Sequence, residues 1–191
     1  MKKNLMIAVL YTIVTTILLG IGYPLVVTGL AQLLFPKQAK GSLIVQNGKV
    51  VGSHLIGQPF TAPGYFYSRP SGAGTGYDAT SSGSSQLGPT SKALVDRVNA
   101  SIQQLQPTNP GAPIPVDLVT QSGSGLDPDI TPAAADFQVP RVATERGMSQ
   151  EDVRVIVRKH TKGRQFGFLG EPRVNVLDLN LDLDAQHPMH Q

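Results

Sequence analysis

Histidines and serines are the residues of this chain that could supply a base, a metal ligand or a nucleophile. Of the four histidines, only His187 and His190 stand close together, near the end of the chain. Metal sites need several ligands held by ordered elements, and we expect this tail to be frayed, so we predict no metal site. Cysteine is absent, which excludes disulfides, thiolate ligands and a cysteine nucleophile.

The densest group of small polar residues is Ser122-Gly123-Ser124-Gly125. A serine nucleophile elbow needs a glycine two places before the serine, and this group lacks one. The sequence also has no Gly-x-x-x-x-Gly-Lys-Ser/Thr phosphate loop. Asp127-Pro128 and Asp129 follow, so residues 122–132 are either an elaborate helix start or a specific functional loop. The sequence thus makes no case for an active site of its own.

Local sequence patterns predict the helices and strands that would position these residues. Thr131-Pro132 and Gly147 are predicted to begin and end one helix, which Pro140 should bend. Ser149 is predicted to cap the next helix, which runs to about His160. Apolar spacing predicts a helix over 90–105, capped by Thr90, and strands over 116–120 and 174–183. Asn47-Gly48 predicts a hairpin turn within residues 41–55.

Residues 61–89 are rich in Gly, Ser and Tyr, and no helix or strand is predicted there. A loop of this length is usually functional or disordered. Its tyrosines, Phe66 and Arg69 argue against a passive Gly/Ser linker, so we predict an ordered surface loop that touches a partner. On the predicted helix 131–147, Gln138, Arg141 and Glu145 share a polar face, which is either solvated or an interface.

The N-terminal segment between Lys3 and Lys37 carries no charged side chain. About 20 apolar helical residues cross a bilayer, so we predict one transmembrane helix. A cleaved signal peptide is the alternative, but its apolar region is shorter and ends in small residues, whereas this one ends in Leu33-Leu34-Phe35-Pro36. The flanking lysines nearly balance, so charge alone barely orients the helix. Because long C-terminal domains translocate regardless of charge, we favour a cytoplasmic N-terminus.

The remainder of the chain is formally neutral. From Lys40 onward there are 13 basic and 13 acidic residues, so we predict no nucleic-acid partner. The length suits one further domain. We therefore predict an α+β chain: a membrane anchor at 1–36, then one extracytoplasmic mixed domain at 37–191 with long Gly/Ser/Pro-rich loops.

Sequence motifs spread over the whole chain occur in the order found in one protein family. They are Tyr23-Pro24-Leu25, Gly52-Ser53-His54-Leu55-Ile56-Gly57-Gln58-Pro59-Phe60, Tyr65-Phe66-Tyr67-Ser68-Arg69-Pro70-Ser71, Tyr77-Asp78, Ser82-Gly83-Ser84-Ser85-Gln86-Leu87-Gly88-Pro89-Thr90, residues 122–132, Gln138-Val139-Pro140-Arg141-Val142-Ala143 and Val174-Asn175-Val176-Leu177. The chain resembles the KdpC family, the C subunit of the Kdp potassium-transporting P-type ATPase. One departure is Ser85-Gln86, where the family usually reads Ser-Asn.

This resemblance implies a subunit without the phosphorylated Asp-Lys-Thr-Gly motif of the pump. It implies two partners, a potassium-channel-like subunit and an ATP-hydrolysing subunit, in a bacterial inner membrane. The family is described as assembling the complex and as a catalytic chaperone that raises its affinity for ATP. Nucleotide binding, by this resemblance, would involve Ser122, Gly123, Ser124, Gly125 and Gln138.

An extracytoplasmic domain cannot touch cytoplasmic ATP, so an effect on ATP would be allosteric. We expect instead that the domain covers the external potassium entrance, with an interface formed by Tyr65, Phe66, Arg69, Tyr77, Asp127 and Arg141. The alternative functions are a membrane-tethered enzyme and a ligand-sensing domain unrelated to a pump.

Overall fold

A computed structural model describes residues 1–189 of the chain. The chain divides into two compact units, the first ending at Val51 and the second beginning at Gly52. Both helices and short strands are present, which confirms the α+β class. The elements in chain order are α1 (Lys2–Thr15), a π-helical segment (Thr16–Gly22), α2 (Tyr23–Leu34), α3 (Pro36–Ala39), β1 (Leu43–Gln46), β2 (Lys49–Ser53), α4 (Lys92–Leu105), 3-10 turns at Gln106–Thr108 and Val116–Leu118, β3 (Asp129–Ile130), α5 (Pro132–Arg146), α6 (Gln150–His160), β4 (Thr161–Lys162), β5 (Arg173–Asn175) and α7 (Val176–Gln186).

The first unit contains a single apolar helix, Lys2–Leu34, which is long and apolar enough to cross a membrane. Two of its threonine hydroxyls are bonded within the helix: Thr12 donates to the Ala8 carbonyl at 2.9 Å and Thr15 to the Tyr11 carbonyl at 2.8 Å. A polar group in hydrocarbon must find its partner inside the protein, so this arrangement suits a lipid environment.

The helix changes its hydrogen-bond pattern just before Pro24. Residues Thr16–Gly22 are π-helical. Because Pro24 has no N–H, the carbonyl four residues earlier, on Gly20, loses its α-helical partner. The helix accommodates this loss with the wider turns of a π-helix. Beyond the helix, β1 and β2 form the predicted hairpin, with positive φ at Asn47 (50°) and Gly48 (75°).

The second unit is built on a small antiparallel sheet in the order β3-β5-β4. Val174 at its centre pairs with Ile130 on one side and Thr161 on the other. Such short strands bury little surface, so helices α5, α6 and α7 supply most of the core. The buried apolar residues packed together are Phe66, Leu118, Ile130, Ala134, Ala135, Phe137, Val139, Val142, Ala143, Val153, Ile156, Val157, Val174, Val176, Leu179 and Leu183.

The predicted starts and ends of α5 and α6 are confirmed. The Thr131 hydroxyl accepts from the Ala134 N–H at 3.1 Å, and Gly147 ends α5 with φ of 64°. The Ser149 hydroxyl accepts from the Asp152 N–H at 3.1 Å at the start of α6. Helix α4 ends as predicted, but it begins at Lys92 with Ser91 rather than Thr90 in the capping position.

Two predicted strands were wrong. Residues 116–120 contain a 3-10 turn, because buried Asp117 bonds the Thr131 N–H at 2.7 Å and thereby ties this turn to the start of α5. Residues 174–183 are strand only as far as Asn175, whose side chain caps α7 by accepting from the Asp178 N–H at 3.1 Å. A helix forms after Asn175, instead of a longer strand, because this cap starts it and because the buried positions that follow have helical spacing.

Candidate functional site

Two buried side-chain amides hold the backbone of residues 61–89, which we call the clamped loop. Asn180 on α7 accepts from the Phe66 N–H at 2.9 Å and donates to the Phe66 carbonyl at 2.9 Å. Gln138 on α5 does the same for Tyr67, at 2.8 and 3.2 Å. Each amide therefore pairs both backbone groups of one residue, as a neighbouring strand would.

Two arginines extend this attachment toward the start of the clamped loop. Arg141 donates to the carbonyls of Pro63 and Tyr65, the latter at 2.9 Å, and its guanidinium lies 3.9 Å from the centre of the Tyr67 ring. Its second terminal nitrogen donates to the Gln138 amide oxygen at 2.7 Å. Burial lowers the pKa of Arg141, and the five fixed donors of a guanidinium suit this set of carbonyls.

Arg146 holds the adjoining residue. It donates to the Gly64 carbonyl at 2.6 Å and forms an ion pair with Asp184 at 2.9 Å. Asp184 also accepts from the Tyr65 hydroxyl at 2.9 Å, and the Arg146 guanidinium lies 5.0 Å from the Tyr65 ring centre. Burial, with the hydrogen bond to Asp184, raises the pKa of Tyr65. Tyr65 is thus a neutral, oriented donor.

The second half of the clamped loop is bonded to residues 121–127. Arg69 forms an ion pair with Asp127 at 2.9 Å, with both side chains partly exposed. The Ser71 hydroxyl donates to the Gly125 carbonyl at 2.6 Å and accepts from the Tyr77 N–H at 2.7 Å. These bonds bring together Arg69 and Asp127, two of the predicted interface residues.

Gly125 lies where the two loops touch most closely. Its φ is 67°, and a Cβ there would stand 2.5 Å from the Gly83 carbonyl oxygen and 2.6 Å from the Ala73 nitrogen. Both neighbours are backbone atoms, so moving them away from a Cβ would cost considerable free energy. Glycine is therefore required at this position for conformation and for space.

The predicted interface residues differ in what they expose. Phe66 is 0% exposed and packs in the core, so its side chain supports the loop from beneath. Tyr77 is half-buried and donates to the Arg69 carbonyl at 2.6 Å, and burial raises its pKa. Tyr65, Arg69, Asp127 and Arg141 are partly exposed at the edges of the clamped loop. Of the six predicted interface residues, these four and Tyr77 therefore have side chains that reach the surface, and Phe66 does not.

The residues predicted to bind nucleotide lie in two separate parts of the structure. Gln138 is 1% exposed, and its amide is used by Tyr67, Arg141 and the Ala134 carbonyl, so it has no hydrogen-bonding position left for a ligand. Ser122 and Gly123 instead line a cleft of about 270 Å³ with Arg97. Pockets for small molecules usually measure about 300–1,000 Å³, so this cleft is too small to enclose a whole nucleotide. Nucleotide binding stays a prediction.

Among residues 1–189, no group of three or more His, Asp and Glu side chains is arranged to hold an ion. His187 donates its backbone N–H to the Leu183 carbonyl at 2.8 Å. His190, the other histidine considered for a site, lies outside the described residues.

Comparison with known proteins decides the family. The family model described as "K+-transporting ATPase, c chain" matches residues 5–185. The chain belongs to the KdpC family. The resemblance drawn from the sequence motifs is thereby confirmed.

Relatives named "Potassium-transporting ATPase KdpC subunit" match nearly end to end. The chain is 62% identical to the Koribacter versatilis protein over 189 residues, which is 99% of this chain and 98% of that protein. It is 58% identical to the Acidobacterium capsulatum protein over 187 residues, 97% and 100% of the two chains. The Methylococcus capsulatus protein is 56% identical over 181 residues, 93% and 95% of the two chains.

Three structurally important residues of this KdpC-family chain were missed from the sequence: Asn180, Arg146 and Asp184. A signal for Asn180 did exist. With helical rather than strand spacing, it falls on the same face as Val176, Leu179 and Leu183, all of which are buried. A lone amide on a buried apolar face must find polar partners, which here are the two backbone groups of Phe66.

Proposed function

We propose that this KdpC-family chain is a non-catalytic accessory subunit of a high-affinity, ATP-driven potassium uptake complex, a P-type ATPase. The observation that supports it is the 62% identity to a KdpC subunit over 99% of the chain. We infer that the partners are a potassium-channel-like subunit and an ATP-hydrolysing subunit. The role that follows is assembly and stabilisation of their complex.

We further propose that Lys2–Leu34 anchors the chain in the bacterial inner membrane by a single pass. The apolar length of this helix and its internally bonded threonines support the proposal. The N-terminus would be cytoplasmic, and the unit that begins at Gly52 would be extracytoplasmic. In that position it would act as a cap over the external potassium entrance.

An influence on ATP affinity, the catalytic-chaperone role, would then be indirect. The Gln138 amide is fully occupied by Tyr67, Arg141 and the Ala134 carbonyl, and an external unit would never meet cytoplasmic ATP. Contact with the membrane-embedded partners would shift the ATPase subunit toward its ATP-binding state, and the coupling would be reciprocal. ATP binding by that subunit should therefore tighten the attachment of this chain.

The clamped loop suits a partner surface because it is ordered before binding. Its backbone is fixed by Gln138, Asn180 and Arg141. Binding to a partner would therefore cost little conformational entropy in this segment. The exposed parts of Tyr65, Arg69, Tyr77, Asp127 and Arg141 would form the contact.

Co-purification tests the accessory role. The tagged full chain, extracted from its native membrane in mild detergent, should bring down two larger membrane proteins and potassium-stimulated ATPase activity. A solitary monomer would contradict the proposal and favour a membrane-tethered sensing or enzymatic domain.

Protease treatment of intact spheroplasts tests the orientation. The second unit should be cleaved without lysis if it is extracytoplasmic. Protection until lysis would contradict that orientation and reopen direct contact with ATP. The cap is tested separately by a chain that ends shortly after Val51: normal potassium uptake by a normally assembled complex would refute it.

A further inference from the structure

The turn between β4 and β5 carries unusual apolar exposure. Phe166 is 87% exposed and Phe168 is 70% exposed, more than any other large apolar side chain among the described residues from Gly52 onward. Leu169 beside them is 47% exposed. For comparison, Leu33 in the apolar helix of the first unit is 77% exposed, and Val116 in the second unit is 68% exposed.

This turn, residues 164–171, is a hydrogen-bonded hairpin, which we call the aromatic tip. The backbone groups of Gln165 and Leu169 exchange two hydrogen bonds, each of 2.9 Å. At its base Arg164 donates to both carboxylate oxygens of Glu171, at 2.9 and 2.7 Å. The rings are therefore presented by an ordered element.

The backbone of the aromatic tip is strained at the exposed ring itself. Phe166 has φ of 52° and Gly167 has φ of 81°. Tight turns with two positive φ angles favour Asn, Asp or Gly, and a bulky residue there is a steric outlier. The Phe166 ring gains no burial within this chain that would offset the strain. Such an outlier indicates a partner outside the chain for the ring.

We propose that the aromatic tip inserts shallowly into the interface of an anionic phospholipid bilayer. This proposal rests on the membrane anchoring proposed above, which keeps the second unit close to lipid. The residues between Leu34 and Gly52 would span at most roughly 60 Å even when fully extended. The bilayer is consequently a neighbour at high effective concentration.

The charge left over beside the aromatic tip is basic. Residues 159–173 contain four basic side chains, and ion pairs tie Lys159 to Asp182, Arg164 to Glu171 and Arg173 to Asp129. The remaining one, Lys162, is exposed at the base of the hairpin and would favour anionic lipid. Aromatic rings with basic residues behind them are typical of segments that lie in the headgroup region.

The size of the apolar patch favours lipid over protein. Two rings and one leucine form a wedge, whereas a specific protein interface usually buries about 800 Å² on each partner. A shallow wedge is sufficient to orient a unit that is already tethered.

Tryptophan fluorescence tests the proposal, because the chain contains no tryptophan. The full-length Phe168→Trp variant is reconstituted in vesicles of phosphatidylglycerol and phosphatidylcholine whose acyl chains are brominated near the headgroup. Interfacial groups reach roughly 5–10 Å into the bilayer, so we expect loss of about half of the emission and a blue shift. In vesicles of phosphatidylcholine alone, the loss should be smaller.

Two further variants make the result decisive. Leu33→Trp, at the end of the anchor helix where the bromines lie, should be quenched, whereas Val155→Trp on α6, where Val155 is 51% exposed, should not. Quenching of Leu33→Trp without quenching of Phe168→Trp would refute insertion of the aromatic tip and leave the anchor intact. An unquenched Leu33→Trp would refute both.

Three other outcomes would also overturn the proposal. Equal quenching of Val155→Trp would mean that the tip is not a specific contact. Equal quenching of Phe168→Trp in neutral vesicles would remove the role of anionic lipid. A blue shift that appears only after the other pump subunits are added would assign the aromatic tip to a protein partner.

Discussion

Replacing Gln138 by alanine should destabilise the second unit strongly. The side chain is 1% exposed and bonds the Tyr67 N–H at 2.8 Å and the Tyr67 carbonyl at 3.2 Å. Each buried group left without a partner costs about 1–3 kcal/mol, and the lost side-chain volume adds to this cost. We therefore expect a loss of about 3–5 kcal/mol, a large part of the ~5–15 kcal/mol typical of a domain.

Urea unfolding of the full chain in detergent, followed by near-ultraviolet circular dichroism of its tyrosines, measures this loss. Gln103→Ala is the matched control, because Gln103 is exposed on α4, and it should change stability by less than about 0.5 kcal/mol. Gln138→Glu keeps the acceptor for the Tyr67 N–H and Arg141 but sets an oxygen against the Tyr67 and Ala134 carbonyls, so it should also be clearly less stable than Gln103→Ala. Hydrogen exchange should accelerate first in residues 61–70.

Equal stability of Gln138→Ala and Gln103→Ala would refute this reasoning. It would mean that the buried amide does not fix the clamped loop. Destabilisation without faster exchange in residues 61–70 would also contradict the argument, because the effect would then arise from the core of α5 alone.

Gly125→Ala should cost about 2 kcal/mol or more, since its φ is 67° and the new methyl group meets the Gly83 carbonyl at 2.5 Å. Asp182→Asn should lower stability by up to about 1 kcal/mol at neutral pH, because the hydrogen bond from Lys159 holds the Asp182 pKa below its usual value. That difference is present above the ordinary carboxyl pKa of about 3.9 and should shrink as the pH falls below it. Phe166→Asn should stabilise the isolated chain by about 0.5–1 kcal/mol, since Asn tolerates a φ of 52° better.

Urea midpoints of the same detergent-solubilised chain check these three. Gly123→Ala is the control for Gly125→Ala, since a Cβ at Gly123 meets nothing within 4 Å and its φ is not positive. A stability difference for Asp182→Asn that grows on acidification would contradict the assigned pKa direction. A destabilised Phe166→Asn variant would show that the ring contributes to folding of the chain itself.

The elements that the sequence predicted well are those fixed by neighbours in the chain. Thr131, Ser149 and the Asn47-Gly48 pair act within three residues, so their types alone specify a cap or a turn. The strand predicted over residues 174–183 failed because alternating leucines fit two periods, and the Asn175 cap decided between them.

The candidate site was predictable only in part. The tyrosines and Arg69 of the clamped loop marked it as ordered, but its partners lie far away in sequence: Asn180 is 114 residues from Phe66, and Gln138 is 71 residues from Tyr67. No local pattern specifies such pairs. The burial of Phe66, expected at the interface, follows from the same long-range bonds.

The clamped loop has a consequence for how the chain matures. Its backbone is held by side chains of α5 and α7, which the ribosome makes more than 70 residues after Phe66 and Tyr67. Contacts this distant in sequence form late, because the intervening segment must close first. If Lys2–Leu34 anchors the nascent chain in the bilayer, as proposed above, residues 61–89 emerge unpartnered while the chain is already attached to the membrane. Chaperones that shield exposed tyrosines would act during this interval, before α7 arrives.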